Sequence, residues 1–284
     1  MLLSNIRGVG HAKNGAIGLS HGKFLCFCDA DDINTLNRLQ RQYAACLELG
    51  EDDCENYIIG SRFSRLPINS TPRYREWACT LGTSELHTQI YTSFGPTVVA
   101  PSWFMARSIF EKVGAFNDKY KTGFPEDLDF FYRALREGVK IFRVDEELVI
   151  YRHHLNCSTY SVLEHTLWNI RIIELQRNVL AKWQTFTIWN AGKQGKRFFR
   201  SLSNENKLKV VAMCDVDERK ISNGRFEVFD ERTRQITHSV PIIHFRSAKP
   251  PAIVCVKLNM TNGSFERNLL ENNWREGIDF FHFS

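Results

Sequence analysis

The stretch Phe24-Leu25-Cys26-Phe27-Cys28-Asp29-Ala30-Asp31-Asp32 decides the fold expected for this chain. Its apolar first part predicts a buried strand covered on both faces, and the stretch ends in three carboxylates. Acidic residues at the carboxyl end of such a strand lie where open α/β sheets bind ligands. Carboxylates at alternate positions can direct oxygens at one hard cation, which in turn holds a substrate's phosphates. The alternative is a solvated turn capped by Asp side chains, which are common in turns.

The composition is that of a folded protein with one large or two small domains. The chain has 284 residues, of which 43% are apolar, so a sizeable core is possible and global disorder is excluded. The formal net charge of +5 makes the chain mildly basic. That charge is compatible with a nucleic-acid partner but does not by itself indicate one.

The eight cysteines favour a reducing compartment, because none forms a Cys-x-x-Cys pair. Cys26 and Cys28 lie within the apolar stretch and are expected to be small core residues rather than ligands. No apolar run approaches the roughly 18–20 residues of a membrane span, and the first residues contain no apolar signal core. We therefore expect a cytoplasmic protein without a membrane partner.

Residues 7–18 predict a helix ahead of the acidic strand, since small and apolar residues recur there at helical spacing. Gly22 is expected to cap the end of this helix. Arg7 and Lys13 would then face the same ligand as the acidic turn and contribute to binding it. The alternative is an ordinary surface helix with a basic face.

Two further segments follow the acidic turn. Residues 35–49 predict a helix with Leu36, Leu39, Tyr43 and Cys46 on one face. Residues 57–63 predict a strand, and residues 62–75, with four arginines, predict a surface loop. We expect those arginines to be solvated, with contact to phosphate as the alternative.

The segment Phe124-Pro125-Glu126-Asp127-Leu128 is the second acidic element of the chain. Pro125 favours the first turn of a helix, and two acids in that turn suit the positive end of the helix dipole. A carboxylate in this position tends to stay ionised at neutral pH, which is what a general base needs. Helix capping alone is the alternative explanation.

The second half predicts a strand, a glycine turn and a helix over residues 186–202, then a strand over 209–215 that ends in Asp215. This order is typical of the opening of a Rossmann-like unit, although Asn190 stands where the first glycine is expected. Binding of a nucleotide or phosphate at the helix start and a purely structural unit both remain open. A candidate surface for RNA phosphates is formed by Lys193, Lys196, Arg197 and Arg200.

The chain resembles the family 2 glycosyltransferases, which have a GT-A fold, in two runs. These are Gly-Val-Gly-His-Ala-Lys-Asn-Gly-Ala-Ile-Gly at residues 8–18 and Gly-Lys-Phe-Leu-Cys-Phe-Cys-Asp-Ala-Asp-Asp at residues 22–32. The resemblance implies that a nucleotide-sugar donor binds through Mn²⁺ or Mg²⁺ at an Asp-x-Asp element. It assigns Asp29, Asp31 and Asp32 to the metal, with Asp31 closest and Asp29 also beside the donor.

The resemblance also implies roles further along the chain. Family 2 enzymes carry Glu-Asp at the place of Glu126 and Asp127, so Asp127 would take the proton from the acceptor hydroxyl, with Glu126 in support. A strand ending in Tyr-Arg-x-His matches as well, so Arg152 would pair with an acid or a phosphate. His154 would bind the metal or the diphosphate, unless it is a structural histidine. The segment that approaches the donor sugar or acceptor contains Gly95, Pro96 and Thr97.

Within that family, several runs resemble the galactosyltransferases that act on queuosine in tRNA, and the likeness covers nearly the whole chain. They include Gly-Pro-Thr-Val, Pro-Glu-Asp-Leu, Phe-Thr-Ile-Trp-Asn-Ala-Gly-Lys-Gln-Gly, Cys-Asp-Val-Asp-Glu and Phe-x-His-Phe-Ser. The resemblance implies galactose transfer from UDP-galactose to queuosine in the anticodon of a cytosolic tRNA. The alternatives are β-1,3-N-acetylglucosaminyl transfer to a glycan galactose and a non-catalytic tRNA-binding fragment.

The expected fold class is α/β, with a GT-A domain over residues 1–183 and a small Rossmann-like domain over residues 184–284. Compared with the family, the chain starts at the helix before the Asp-x-Asp strand. The family's opening strand and its Asp-Asp-x-Ser element, which bind uridine, are not found in this sequence. We therefore expect an N-terminally truncated GT-A domain with weak or no transferase activity.

Overall fold

A computed structural model describes residues 8–155, 157–258 and 260–284. They group into two compact units, the first with residues 8–90 and 94–167, the second with 91–93 and the described part of 168–284. The predicted mixed α/β class is confirmed, because each unit combines one sheet with several helices. The units divide at residue 167, whereas the sequence predicts a boundary at residue 183.

The first unit contains the sheet that ends in the acidic turn. Its strands are β1 (Phe24–Cys26), β2 (Ile33–Asn34), β3 (Tyr57–Leu66), β4 (Phe104–Ala106) and β5 (Lys140–Arg152), in the order β1-β4-β3-β5-β2. β3 and β5 are parallel, β4 is antiparallel to β1 and β3, and β2 is antiparallel to β5. β1, β3 and β5 therefore run in one direction, and their carboxyl ends lie on the same side of the sheet.

The helices of the first unit lie between and beside these strands in the chain. They are α1 (Val9–Gly18), α2 (Arg38–Glu48), α3 (Glu51–Cys54), α4 (Pro72–Thr80), α5 (Glu85–Thr88), α6 (Arg107–Val113) and α7 (Glu126–Arg136). Phe130 and Phe131 of α7 are fully buried, and both rings pack against the buried ring of Trp103. Phe130 and Phe131 follow shortly after the acidic first turn of α7, so their packing fixes the position of that turn.

β1 differs from the prediction of a strand covered on both faces. It is three residues long, and only Leu25 in it is buried, while Cys26 is exposed. β1 lies at the end of the sheet and pairs with β4 alone among the described strands, so its other edge has no strand partner there. Cys28 is exposed too. The expectation that Cys26 and Cys28 are core residues is therefore wrong.

α2 turns a different face to the core from the predicted one. Of the residues expected on one face, Cys46 is buried, but Leu36, Leu39 and Tyr43 are exposed. The buried positions include Arg38 and Gln42 instead. Gln42 Nε2 donates to the main-chain oxygens of Ile59 and Ser102 at 2.9 and 2.7 Å, so polar contacts to the sheet orient this helix.

α1 ends earlier than its predicted cap. Leu19, in a right-handed helical conformation, follows the last helical residue, so Gly22 does not cap the helix. Near its start α1 comes very close to the segment before α7. A Cβ atom on Gly10 would lie 2.4 Å from the main-chain oxygen of Asn117. Only glycine allows this approach, which brings Lys13, three positions further on, to the start of α7.

Cys46 and Cys54 form a disulfide between α2 and α3, with their Cα atoms 5.0 Å apart. This Cα separation is ordinary for a disulfide. The cysteine spacing did not indicate this pair. Within the described residues the remaining cysteines carry free thiols, and those of Cys214 and Cys255 are buried.

The second unit contains a mostly parallel sheet. Its strands are β6 (Phe186–Trp189), β7 (Val210–Asp215), β8 (Arg225–Asp230), β9 (Gln235–His244), β10 (Ala252–Val254) and β11 (Phe280–His282), in the order β11-β10-β6-β7-β9-β8. All neighbouring strands are parallel except β8 and β9. The sequence did not predict β8, because the β8–β9 ribbon is largely polar and exposes Phe229 and Ile236.

The helices that belong to this half of the chain are α8 (Glu164–Asn178), α9 (Lys193–Ser201), α10 (Asn204–Leu208), α11 (Glu218–Ser222) and α12 (Ser264–Glu271). The apolar spacing of residues 162–183 predicts one long amphipathic helix, whereas α8 stops at Asn178. Trp168 of α8 packs edge-on against Phe283, with ring centroids 4.8 Å apart. From Trp168 onwards α8 therefore groups with the second unit. No helix among the described residues is long and apolar enough to cross a membrane.

Candidate active site

The acidic turn follows β1 directly. The main-chain N–H of Phe27 donates to Trp103 O at 2.8 Å, and the N–H of Asp32 donates to Asp29 O at 3.1 Å. The first bond holds the end of β1 against the segment that leads into β4. The second closes a tight turn after β1, and this turn contains Asp29, Asp31 and Asp32.

The end of β5 lies against this turn. The main-chain N–H of Arg152 donates to Asp32 Oδ1, and its Nε donates to Asp31 O, both at 2.8 Å. His154 Nε2 lies 2.9 Å from Asp31 Oδ2. The structure thus brings Asp31, Asp32, Arg152 and His154 together, although Arg152 contacts the main chain of the turn through its Nε.

A second acidic group surrounds the start of α7. Lys13 Nζ on α1 donates to Glu126 Oε1 at 2.8 Å, and both side chains are largely buried. Asp127, one residue further, accepts a hydrogen bond at Oδ1 from the main-chain N–H of Leu128 at 2.7 Å. Lys13 was predicted to face the ligand of the acidic turn. The charges of Asp29 and Asp127 also raise its pKa, so Lys13 is electrostatically coupled to both acidic groups.

The charges of this region shift several pKa values. Burial raises the pKa of Asp127 to about 6, with further upward effects from Glu126 and Asp29, against the opposing effects of Lys13 and the Leu128 N–H. Its position at a helix start was expected to keep this carboxyl ionised at neutral pH, and burial acts against that effect. A carboxyl with this pKa is still mostly ionised at pH 7 and accepts a proton more readily than an ordinary Asp.

Burial and neighbouring charges also shift the pKa values of the other charged residues in this region. Burial raises the pKa of Asp32 to about 6, and Asp29 and Asp31 add to this, while the Arg152 N–H and Arg65 oppose it. Burial also raises the pKa of Asp29, partly compensated by Lys13. Burial disfavours the charge on Lys13, but Glu126, Asp127 and Asp29 outweigh it and raise its pKa. Negative charge therefore exceeds positive charge here, which favours an entering cation.

The acidic turn has the donor chemistry of a divalent-cation site. Asp31 and His154 offer a carboxylate and an imidazole at one place, and Asp32 Oδ2 is buried without a hydrogen-bond partner. Oxygen and imidazole ligands suit Mn²⁺, and carboxylates suit Mg²⁺. Across the described residues, no three His, Cys, Asp or Glu side chains already form a metal-binding group. The residue types fit Mn²⁺ or Mg²⁺, and the roles of Asp29, Asp31, Asp32 and His154 as ligands stay predictions.

Three other predicted site residues make no hydrogen bond to the acidic groups among the described residues. Thr97 is buried, and its Oγ1 donates to Leu86 O at 2.7 Å. Pro96 is buried as well, and Gly95 has a positive φ of 96°. Among the described residues, none of these three hydrogen-bonds to the acidic turn or to Glu126 and Asp127. Arg7 lies outside the described residues.

Arg65, Tyr74 and Tyr151 form a contact that the sequence did not indicate, although Arg65 is one of the four arginines for which phosphate contact is the alternative. Arg65 was assigned to a surface loop, but β3 continues to Leu66 and buries Arg65 to 7% exposure. Its guanidinium carbon lies 4.2 Å from the ring centroid of Tyr151 and 5.3 Å from that of Tyr74. The alternation of β3 beyond Phe63 would have placed Arg65 on the buried face. Nothing in the local sequence indicated its aromatic neighbours, which come from α4 and β5.

The glycine turn of the second unit already satisfies its main-chain amides. The N–H of Ala191 donates to Asp215 Oδ2 at 2.9 Å, and the N–H of Gly192 donates to Asn190 Oδ1 at 2.7 Å. Lys220 Nζ also lies 2.9 Å from Asp215 Oδ2. The two main-chain amides just before α9 are therefore occupied, while no side chain among the described residues caps the helix itself. This favours the structural alternative for this turn.

The basic side chains of α9 lie against aromatic rings. Lys196 Nζ and the Arg200 guanidinium carbon are each 5.5 Å from the ring centroid of Phe226, and that of Arg197 is 3.8 Å from Trp168. Lys193 and Arg200 are exposed. Three of the four cations of the predicted RNA surface thus contact aromatic rings. The role of this surface stays a prediction.

No family model matches the chain. Among solved structures, the crystal structure of S. aureus TarS 1-349 is similar to it, with a TM-score of 0.39 and 15% sequence identity. The similarity covers 72% of this chain and 52% of that one, so this chain spans about half the length of the TarS structure. A likeness at this TM-score carries no conclusion about fold or function.

Proposed function

We propose that this chain is a metal-dependent, inverting glycosyltransferase that moves galactose from UDP-galactose to queuosine in a tRNA. The observation that supports it is the convergence of two acidic groups in the first unit. One group has Asp31 and Asp32 next to His154, and the other has Glu126 and Asp127. Lys13 and Asp29 couple the two groups electrostatically. The donor and the acceptor are taken from the sequence resemblance.

Asp127 is the general base in this proposal. With a pKa of about 6 it is mostly ionised at pH 7 and can accept the proton of an acceptor hydroxyl. The acceptor oxygen then forms a bond to the anomeric carbon of galactose. The bond from that carbon to the diphosphate breaks on the opposite face, and its electron pair leaves with the diphosphate. Glu126 holds Lys13, which limits the repulsion around Asp127.

The acidic turn would hold the donor's diphosphate through a cation. Asp31, His154 and the unpartnered Oδ2 of Asp32 are the groups that would bind Mn²⁺ or Mg²⁺. When bound, such an ion neutralises charge that develops on a departing diphosphate. Arg152 supports the turn through its two hydrogen bonds to Asp31 and Asp32.

A transfer assay tests this function. Wild type, Asp127→Asn and Asp129→Asn are incubated with UDP-galactose, Mn²⁺ and queuosine-bearing tRNA, and galactose in the tRNA is measured. Asp129 is the matched control, because it lies on the same helix and pairs with Arg133 at 2.9 Å. Product with wild type and Asp129→Asn, reduced about 100-fold or more with Asp127→Asn, would support the proposal. Such product would also overturn the expectation from the sequence that this chain has weak or no transferase activity.

The other outcomes separate the alternatives. Equal product from wild type and Asp127→Asn would contradict Asp127 as the base. Transfer from UDP-N-acetylglucosamine to a galactose-terminated glycan, with none to tRNA, would favour the N-acetylglucosaminyltransferase. Binding of tRNA by both proteins without product would favour the non-catalytic alternative.

A further inference from the structure

Arg65 is a buried cation without a hydrogen-bonding partner. It lies on β3 with 7% of its surface exposed, and its Nε is buried and unpaired. No carboxylate or carbonyl accepts a hydrogen bond from its guanidinium within the described part of the chain. A buried charge without a partner is costly, so such a group needs an explanation.

Three aromatic rings surround this guanidinium. Its central carbon lies 4.2 Å from the ring centroid of Tyr151, 5.2 Å from Phe63 and 5.3 Å from Tyr74. Ring faces attract a cation and hold its plane, but they do not replace the hydrogen bonds that its N–H groups make with oxygen. The cage thus orients Arg65 and leaves its N–H groups without an oxygen acceptor among the described residues.

Arg65 belongs to the same edge of the sheet as the acidic turn. In the pairing of β3 with β5, Arg65 is opposite Tyr151 and Leu66 is opposite Arg152. The main-chain N–H of Arg152 binds Asp32 Oδ1, so the Arg65 cage is one residue along β5 from the contact that holds the turn.

Arg65 and Asp32 carry opposite charges, but no hydrogen bond joins their side chains. Asp32 Oδ2 is buried without a partner, as is Arg65 Nε. A ligand that carries both an anionic group and a cation would satisfy both. A bare carboxylate would be repelled by the nearby acids, whereas a phosphate enters together with its divalent cation. The fork of N–H groups on a guanidinium also matches phosphate oxygens.

We propose that Arg65 is the phosphate receptor of this site, pairing with a phosphate of the ligand whose accompanying cation goes to the acidic turn. Tyr74 and Tyr151 hold the guanidinium by their rings. This inference deepens the proposed function, since it names a chemical group that the same site recognises. The phosphate belongs either to the nucleotide donor or to the backbone of an RNA acceptor, and the test separates these sources.

Binding is measured by calorimetry in the presence of Mn²⁺, without any transfer reaction. The two probes are inorganic pyrophosphate and a short single-stranded RNA. The proteins are wild type, Arg65→Met, Arg65→Lys and the control Arg75→Met, since Arg75 forms an exposed ion pair with Glu147. We expect Arg65→Met to weaken one of the two probes by about 10- to 100-fold, and Arg75→Met to leave both unchanged.

The probe that is weakened identifies the source of the phosphate. If Arg65→Met does not fold, Arg65→Lys carries the test, because it keeps the charge but loses the fork, and should weaken the same probe by about 3- to 10-fold. A purely structural role would lower the unfolding midpoint of Arg65→Met equally with and without pyrophosphate or RNA. That result, or unchanged affinity of a folded Arg65 variant for both probes, would overturn the inference.

The two proposals fail in different ways. Loss of pyrophosphate or RNA binding in Arg65→Met without galactose transfer by wild type would support the receptor and contradict the proposed reaction. Galactose transfer by wild type, with unchanged phosphate binding in Arg65→Met, would contradict the receptor alone.

Discussion

Lys13 Nζ lies 2.8 Å from Glu126 Oε1, and it is the cation around which three carboxylates gather. Asp127 and Asp29 are the other two, as the electrostatic effects on Lys13 indicate. One positive charge cannot balance three negative ones in a largely buried place. We expect this charge imbalance to lower the free energy of unfolding and to favour binding of an additional cation.

Replacing Asp127 should stabilise the fold at neutral pH. Burial raises the pKa of Asp127 from its ordinary 3.8 to about 6. Between these two pH values the folded state therefore keeps a proton on Asp127 that the unfolded state has already released. The free energy of unfolding therefore falls as pH rises from about 4 to about 6, and the cost is complete above pH 6. We expect Asp127→Asn to raise the free energy of unfolding at pH 7 by about 1–2 kcal/mol, allowing for partial exposure.

Urea denaturation at pH 7 and pH 4 measures this effect. The difference between Asp127→Asn and wild type should be present at pH 7 and vanish near pH 4. Asp32 also titrates near pH 6, but it does so in both proteins and cancels in the comparison. Asp129→Asn loses an ion pair with Arg133 and should not stabilise the protein. Equal stability of wild type and Asp127→Asn at both pH values would argue against a buried, strained carboxylate.

Binding of Mn²⁺ should depend on Asp31. Asp31 Oδ2 lies 2.9 Å from His154 Nε2, and loss of the carboxylate removes one predicted ligand and the partner of the other. We expect Asp31→Asn to weaken Mn²⁺ binding by about tenfold or more, measured by electron paramagnetic resonance of free Mn²⁺. Asp118→Asn is the control, because Asp118 also faces a histidine, with Oδ2 3.7 Å from His11 Nδ1. The same affinity in Asp31→Asn and Asp118→Asn would exclude Asp31 as a ligand.

Two glycines of α1 should respond differently to the same change. A Cβ on Gly10 would lie 2.4 Å from Asn117 O, whereas a Cβ on Gly18 would meet nothing within 4 Å. We expect Gly10→Ala to destabilise the protein by about 1–3 kcal/mol, because α1 must move away from the segment before α7. Gly18→Ala should be neutral or stabilise by up to about 1 kcal/mol through helix propensity. Thermal unfolding compares the two, and a tolerant Gly10→Ala would show that α1 is not held closely.

The sequence predicted the elements better than the faces they bury. The strand–helix–strand order of residues 186–215 and the helix at Glu126 were found where expected, because each has a local signal of glycine, proline or apolar spacing. α2 shows where such signals fail. Leu36, Leu39 and Tyr43 have the spacing of a core face, yet the hydrogen bonds of Gln42 to two distant carbonyls turn that face outwards. Long-range polar contacts of this kind leave no trace in helical periodicity.

For the same reason, only part of the candidate site was predicted from the sequence. Asp29, Asp31, Asp32, Glu126 and Asp127 stand in short acidic motifs that are visible in the sequence. Their partners come from elsewhere in the chain. The Arg65 cage combines β3, α4 and β5, and no spacing rule links an arginine at 65 to tyrosines at 74 and 151.

The glycine turn of the second unit has a consequence for how that unit responds to solutes. The carboxylate of Asp215, delivered by the chain itself, binds the amide of Ala191. Its local concentration is set by covalent connection and does not change with the level of any metabolite. A soluble anion would have to displace this tethered carboxylate to bind the Ala191 amide, so we expect no stabilisation of the unit by mass action through that amide. The turn behaves as one whose ligand is already built into the polypeptide.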